Sequence, residues 1–115
     1  MFHIVEATFP GASDLGDEVG RWLSALRDER RLRPNSILAY ARDMRQFIAF
    51  LAERLAMQPS LADVLKVTPR DLRAFLAARR AEKIDPRSLQ RALAALRSFA
   101  RHCDERRRSP LTDSR

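Results

Sequence analysis

The stretch DPRSLQRALAALRSFARH, residues 85–102, decides the fold of this 115-residue chain. Asp85 can cap a helix, and Pro86 suits the first helical position because its missing N–H would have no intrahelical partner there. An unbroken run of good helix formers follows, with apolar residues at spacings of three and four. This periodicity predicts one buried face. The residues expected on that face are Leu89, Ala92, Leu93, Leu96, Phe99, Ala100 and Cys103.

The opposite face of the same helix is basic, and no acidic residue occurs between residues 86 and 103. Guanidinium groups can bind phosphates and guanine edges, and small residues let a helix backbone approach a polyanion closely. On this interpretation Arg91 is exposed, and Arg91→Ala should change stability by less than about 0.5 kcal/mol. The alternative is an arginine-rich composition spread over an ordinary solvent-exposed face. The residues expected on the outward face are Arg87, Arg91, Ala94, Arg97, Ser98 and Arg101.

Length and composition predict one helical domain. A chain of 115 residues with 45% hydrophobic residues can bury a single core. It contains only three glycines, few β-branched residues and many Ala, Leu and Arg residues, which favours an all-α fold.

The charge of the chain indicates an acidic partner. Lys and Arg together number 22 against 15 Asp and Glu, which gives a formal net charge of +7 and a pI near 11.1. Nucleic acid is the leading candidate for a partner of this charge.

A single cysteine, Cys103, excludes an intramolecular disulfide and a cysteine-based metal cluster. Its place at the end of an apolar stripe predicts a buried thiol, and a reducing cytoplasm is the natural setting. No apolar run approaches the roughly 20 residues of a membrane span, and the first residues lack the pattern of a signal peptide. We therefore expect a cytoplasmic protein that contacts no membrane and needs no cofactor or metal.

Three segments are predicted along the chain. Residues 1–16 contain Pro10, Gly11 and Gly16 without a sustained period, and indicate a flexible arm, at whose end Ser13 or Asp14 can act as a helix cap. Residues 17–103 form the helical domain, and the charged residues 104–115 a tail or interdomain linker. The first helix, from about residue 17 to 31, is expected to bury Val19, Trp22, Leu23 and Leu26.

A second and longest helix is predicted from Pro34 to about Met57. Its buried stripe is expected to contain Ile37, Ala41, Met44, Ile48, Leu51 and Leu55, flanked by Tyr40 and Phe47. Its outward face repeats the mixture of small, amide and basic side chains seen after Asp85. Amides can pair with adenine and an outward leucine can touch a thymine methyl group, although a single exposed leucine is also common. The outward residues are Asn35, Leu38, Ala39, Arg42, Arg45 and Gln46.

The segment SLADVL, residues 60–65, is predicted to form one turn that places Leu61, Val64 and Leu65 in the core. Thr68, Pro69 and Asp71 then predict a capped helix start, and this helix ends near residue 82. Its inward residues are Leu72, Phe75 and Leu76.

The segments ERRLRPNSILAYARDMRQFIAFL (residues 29–51) and VTPRDLRAFLAARRAEKIDPRSLQRALAALRSFARH (residues 67–102) carry a family resemblance. They resemble the N-terminal core-binding domain of Xer-type tyrosine recombinases, which phage integrases share. The resemblance covers residues 19–102. The matching positions are Pro34, Asn35, Ser36, Tyr40, Asp43, Phe47, Thr68, Pro69, Leu72, Ser88, Arg91, Leu96, Arg97 and Phe99.

This resemblance implies a SAM-like orthogonal bundle of four helices, plus a possible short extra turn. In the family, the second and fourth helices lie over the major groove of duplex DNA. Two departures are local: Arg33 stands where the family usually has a capping serine, and Lys83 lies near a place where glycine is favoured. The positions that the resemblance assigns to DNA contact are Asn35, Ser36, Ala39, Arg42, Arg45, Arg87, Ser88 and Arg91.

The expected function is duplex DNA binding by the non-catalytic half of a site-specific recombinase, in chromosome dimer resolution or integration. The family's tyrosine nucleophile and its basic catalytic residues belong to a second domain, so this chain is not expected to be an enzyme. Tyr40, its only tyrosine, is expected to be structural. The implied partners are DNA, a C-terminal catalytic domain and recombinase subunits on DNA, and the isolated chain is expected to be monomeric. The alternative is a basic helical module that binds an acidic protein or subunit.

Overall fold

The computed structural model of the chain describes residues 11–108. These residues form four long helices and one short helix, with no strand among them, so the all-α prediction is confirmed. No helix of this described part is long and apolar enough to cross a membrane. Most of the predicted arm (residues 1–10) and the end of the predicted tail (residues 109–115) lie outside the described residues. The helices are α1 (Ser13–Asp28), α2 (Pro34–Leu55), α3 (Leu61–Leu65), α4 (Pro69–Ala81) and α5 (Pro86–Arg107).

The first helix begins at Ser13, earlier than the predicted start near residue 17. Leu15 is fully buried, so the first turn belongs to the core. The chain is fixed just before it, because the Ala12 backbone N–H donates to the Pro59 carbonyl oxygen at 2.9 Å. The sequence-based assignment of residues 13–16 to the arm is therefore wrong.

The last helix ends at Arg107, beyond the predicted limit at residue 103. Its final turns are held to α1 by an ion pair between the Arg106 Nε and the Glu18 carboxylate at 2.7 Å. Residues 104–107 are therefore helical, and the prediction that the tail begins at residue 104 is wrong for them.

The capped helix starts agree with the sequence. In α4 the Thr68 hydroxyl accepts from the Asp71 N–H at 3.2 Å, and the Asp71 carboxylate accepts from the Thr68 N–H at 3.0 Å. Ser60 and Asp63 form the same reciprocal box at α3. In α5 the Asp85 carboxylate accepts from the backbone N–H of Ser88, the N3 residue, at 2.8 Å. Hydrogen bonds from backbone N–H groups stabilise the charged carboxylates, and they lower the pKa of Asp71 and of Asp85 below the usual range.

The two departures from the family pattern both affect the local backbone structure. Arg33 occupies the N-cap of α2 in an extended conformation and forms no side-chain capping bond. Lys83 has a left-handed backbone with a φ of 63°, a conformation that Arg31 and Ala56 also adopt. Without glycine, each such residue costs about 1 kcal/mol, which the remaining packing offsets.

Replacing Arg33 with serine should raise the free energy of unfolding by about 0.5 to 1 kcal/mol. A serine hydroxyl would accept a bond from a first-turn N–H, and the change removes a cation from the positive end of the helix dipole. Thermal melts of the wild type and the variant would measure this gain. Arg33→Ala is the control, since it removes the same charge without supplying an acceptor. Equal gains from both variants would show that capping is not the cause.

The core lies between α1, α2 and α5, and Trp22 of α1 is at its centre. The Trp22 ring meets Phe99 edge-on at 5.4 Å between ring centroids and stacks with Tyr40 at 6.0 Å. Its indole N–H donates to the Ser98 hydroxyl at 2.9 Å. Ser98 therefore faces α1, which corrects its predicted place on the outward face. The structural role predicted for Tyr40 agrees with its packing on Trp22.

The buried face of α5 is rotated from the predicted stripe. Its buried residues are Ala92, Ala95, Phe99 and Cys103, because small side chains let α5 approach α1 and α2 closely. Ala100 is exposed, while Leu89, Leu93 and Leu96 are only partly buried. Leu93, Leu96 and Ala100 line an apolar cavity of about 250 Å³ beside α3 and α4. The predicted stripe is thus wrong for Ala100 and only partly right for these three leucines.

Two other leucines were expected in the core but are exposed. Leu55 lies at the last position of α2 and Leu65 at the last position of α3. Their exposed fractions are 42% and 40%. The four predicted α1 residues, Phe75 and Cys103 are buried. Four other residues predicted to be inward are only partly buried against the core: Leu61, Val64, Leu72 and Leu76.

Candidate nucleic-acid interface

An ion pair between Arg91 and Asp43 joins the two helices that carry the predicted DNA-contacting residues. These helices, α2 and α5, form the most extensive helix contact among the described residues. The Arg91 Nε donates to Asp43 Oδ2 at 2.8 Å, and Nη2 donates to Oδ1 at 2.9 Å. This bidentate bond raises the pKa of Arg91. Arg91 is therefore not the freely exposed side chain that its place in the sequence suggested.

The partners in this ion pair differ in their exposure to solvent. The Asp43 side chain is 3% exposed, whereas that of Arg91 is 35% exposed. An ionised carboxylate at such depth needs a partner, and Arg91 supplies it. The pair thus has a structural role whatever else Arg91 contacts.

The two helix starts border this ion pair. Arg87 lies one helical turn before Arg91 and is exposed, and Ala39 lies one turn before Asp43 and is partly buried. On the outer side of α2, Arg42 is exposed. Arg87, Ala39 and Arg42 thus lie within about one helical turn of the residues that form this interhelical contact.

The remaining predicted residues differ in their exposure and in their hydrogen bonds. Asn35 and Ser36 are exposed in the first turn of α2. Ser88 is partly buried, its N–H is bound by Asp85, and its hydroxyl donates to the same carboxylate at 3.4 Å. Arg45 is partly buried, and its Nε is fully buried without a hydrogen-bond partner among the described residues.

The first turns of α2 and α5 contain no acidic residue, whereas those of α1, α3 and α4 contain one each. A helix N-terminus carries partial positive charge and exposed N–H groups, so it attracts anions. Asp85 caps α5 from outside this turn, and its carboxylate is bound to Ser88. The start of α5 therefore combines the favourable end of the dipole with the cationic Arg87, whereas the first turn of α2 presents the uncharged Asn35 and Ser36 after Arg33 at the N-cap.

The outward face of α5 continues beyond the predicted site. Arg97 and Arg101 are exposed and form no ion pair with any residue in the described range. They extend the basic character of the face toward the C-terminal half of α5, as their place in the sequence predicted.

A cluster of basic side chains around one buried carboxylate, that of Glu18, was not predicted from the sequence. Glu18 is 4% exposed, and its carboxylate accepts from Arg21 Nε at 3.1 Å and from Arg106 Nε at 2.7 Å. The His102 Nε2 lies 2.7 Å from the same carboxylate. Burial, and next the charge of Glu18, raise the pKa of the Cys103 thiol to about 11, so the thiol is protonated at neutral pH.

This cluster ties α1 to the end of α5. Glu18 adjoins Val19 and lies one turn from Leu15 and Trp22 on the buried side of α1, which is the only local sign of its burial. Its partner His102 is 84 residues away in sequence, so no local pattern could identify the pair.

Comparison with known families matches residues 19–107 to the family described as "Phage integrase, N-terminal SAM-like domain". The chain belongs to this family of all-helical N-terminal domains, as the resemblance predicted.

Several relatives are named as the tyrosine recombinase XerC. The protein from Methylobacterium sp. (strain 4-46) is 57% identical over 95 residues, which cover 83% of this chain and 29% of that protein. The protein from Methylobacterium nodulans is 55% identical over 94 residues, covering 82% of this chain and 29% of that protein. The protein from Rhizobium meliloti is 46% identical over 94 residues, covering 82% and 30% respectively. The chain thus spans less than a third of the length of these relatives. No solved structure matches the chain.

Proposed function

We propose that this chain binds duplex DNA as the N-terminal domain of a site-specific tyrosine recombinase. The observation that carries the proposal is the pair of basic helix starts that border the Arg91–Asp43 contact. Membership in the integrase family and the net charge of +7 support it independently. We name these starts the DNA-facing surface, formed by Asn35, Ser36, Ala39, Arg42, Arg45, Arg87, Ser88 and Arg91.

On this surface, exposed arginines would contact phosphates, and polar side chains of the first turns would reach base edges. Phosphate contacts supply most of the affinity of such a domain, while base contacts bias it toward a site. Small side chains such as Ala39 let the α2 backbone approach the groove. The isolated chain should therefore bind DNA weakly and with modest sequence preference.

Strand cleavage is proposed to belong to a catalytic domain and partner subunits of the whole recombinase. Tyr40 is partly buried and its ring stacks on Trp22, which supports a structural role for this side chain. A covalent adduct formed between DNA and this chain alone would contradict this assignment.

The logarithm of the affinity for a labelled duplex should fall linearly with the logarithm of salt concentration, by roughly 0.9 per phosphate contact. Arg42→Ala and Arg87→Ala should each weaken binding to all sequences and reduce this slope by about 1. Fluorescence anisotropy titrations at several salt concentrations would measure both quantities.

Lys66→Ala is the matched control for this titration. It removes one exposed positive charge just after α3, a helix that carries none of the residues of the DNA-facing surface. Its slope should remain that of the wild type. Binding that is independent of salt would favour a protein-interaction module. An equal loss with Lys66→Ala would show that the DNA contacts are not confined to the DNA-facing surface.

A further inference from the structure

We propose that Asp43 is a positioning residue that orients Arg91 for recognition of a guanine in duplex DNA. This inference rests on the proposed function and names one contact within it. The starting observation is that a buried carboxylate of α2 holds a partly exposed guanidinium of α5 in two hydrogen bonds.

The ion pair uses only one edge of the guanidinium. A guanidinium offers two bidentate edges, one formed by Nε and one terminal nitrogen and the other by the two terminal nitrogens. Asp43 occupies the first edge of Arg91, at 2.8 and 2.9 Å. Arg91 forms no other hydrogen bond with the described residues, and its side chain is 35% exposed. The end-on edge is thus left for a ligand.

The bond to Asp43 also removes much of the rotational freedom of Arg91. A long arginine side chain normally loses considerable conformational entropy when it binds. Because Asp43 is 3% exposed and anchored in α2, the planar fork of Arg91 is held in one orientation before any ligand arrives. Such preorganisation favours a contact that depends on direction.

A guanine edge fits this arrangement better than a phosphate does. A phosphate would bring a second negative charge to a guanidinium already neutralised by Asp43, and the two anions would repel each other. Guanine O6 and N7 are uncharged acceptors that match an end-on arginine fork. Arg42 and Arg87 are exposed and form no ion pair with a described residue, so they remain the phosphate contacts.

The test is selection of bound sequences from a pool of randomised duplexes, followed by affinity measurements on selected and unselected duplexes. Wild-type protein should enrich guanine at one position. Asp43→Asn retains the shape and one acceptor but loses the charge and the second acceptor. It should reduce discrimination at that position by roughly tenfold, the order expected for one bidentate base contact. Its affinity for the unselected pool should be equal to or higher than that of the wild type.

Glu53→Gln is the matched control. Glu53 is exposed on the same helix, and its replacement raises the net charge by the same amount without touching the ion pair. This variant should keep the guanine preference. A loss of preference in Glu53→Gln equal to that in Asp43→Asn would show that charge alone is responsible and would overturn the inference.

Arg91→Lys provides a second variant, because Asp43→Asn can lower the folded fraction. Lysine keeps a positive charge for Asp43 but has no end-on fork. It should lose the same guanine preference while circular dichroism shows a folded helical domain. A purely structural role for the ion pair would instead leave the preference of every folded variant unchanged, and that result overturns the inference.

A wild-type pool without guanine enrichment, despite binding with a linear salt dependence, would overturn the inference and leave the proposed function intact. Failure to bind duplex DNA at any salt concentration would instead overturn the proposed function itself. The two failures are therefore distinguishable in one set of measurements.

Discussion

Replacing Phe99 with alanine should lower the free energy of unfolding by about 3 to 5 kcal/mol. The Phe99 side chain is 2% exposed and meets the Trp22 ring edge-on at the centre of the core. The substitution removes this aromatic contact and leaves a cavity that the surrounding helices can fill only in part. Urea denaturation followed by circular dichroism would measure the loss.

The neighbouring residue supplies the control, because Ala100 is exposed where the sequence pattern had placed it inward. Ala100→Ser should change the free energy of unfolding by less than about 0.5 kcal/mol. If Phe99→Ala prevents folding, Phe99→Leu gives a smaller loss that remains measurable. A large cost for Ala100→Ser would mean that α5 is rotated toward the predicted stripe, and a small cost for Phe99→Leu would mean that Phe99 is not packed in the core.

Arg91→Ala should lower the free energy of unfolding by about 3 kcal/mol, because the buried Asp43 carboxylate loses its ion-pair partner. The sequence alone predicted almost no effect, because it gave no sign of this ion pair. The same denaturation experiment measures the loss, and a matched variant is Arg87→Ala. Arg87 is exposed one turn earlier and forms no ion pair with a described residue, so its loss should cost less than about 0.5 kcal/mol.

A double-mutant cycle isolates the interaction itself. Combining Arg91→Ala with Asp43→Ala removes both charges, so the double variant should lose much less stability than the sum of the single variants. Additive losses would show that the two side chains stabilise the protein separately. The bidentate geometry would then be incidental to folding.

The sequence by itself determined the helix starts and the local chemistry around them. Asp85 with Pro86, and Thr68 with Asp71, cap α5 and α4 as predicted. These capping bonds depend on side chains within about one turn of the backbone groups they satisfy, so a local stretch contains the necessary information. The missing cap at Arg33 and the left-handed Lys83 were instead expected from departures from the family pattern.

The sequence pattern could not predict which part of the apolar stripe of α5 is buried, because alanines and leucines both recur at helical spacing along this helix. Apolar periodicity identifies a broad stripe. Which part of the stripe is buried depends on the neighbouring helices, and here the small residues Ala92 and Ala95 permit the close approach. Because these alanines face the neighbouring helices, Leu89, Leu93 and Leu96 lie at the margin of the core and are only partly buried.

For the candidate site, the sequence indicated the two helix starts and their basic outward faces. Only the tertiary structure shows that the arginines on these faces differ in their ion pairs. Arg42 and Arg87 form no ion pair in the described range, whereas Arg91 is bound to Asp43. The DNA contacts of all three remain predictions. Asp43 is 48 residues from Arg91 in the chain, and only the packing of α2 on α5 brings the two together. Ion pairs between distant segments are set by this packing, because a charge pattern does not specify which of many possible partners a side chain will meet.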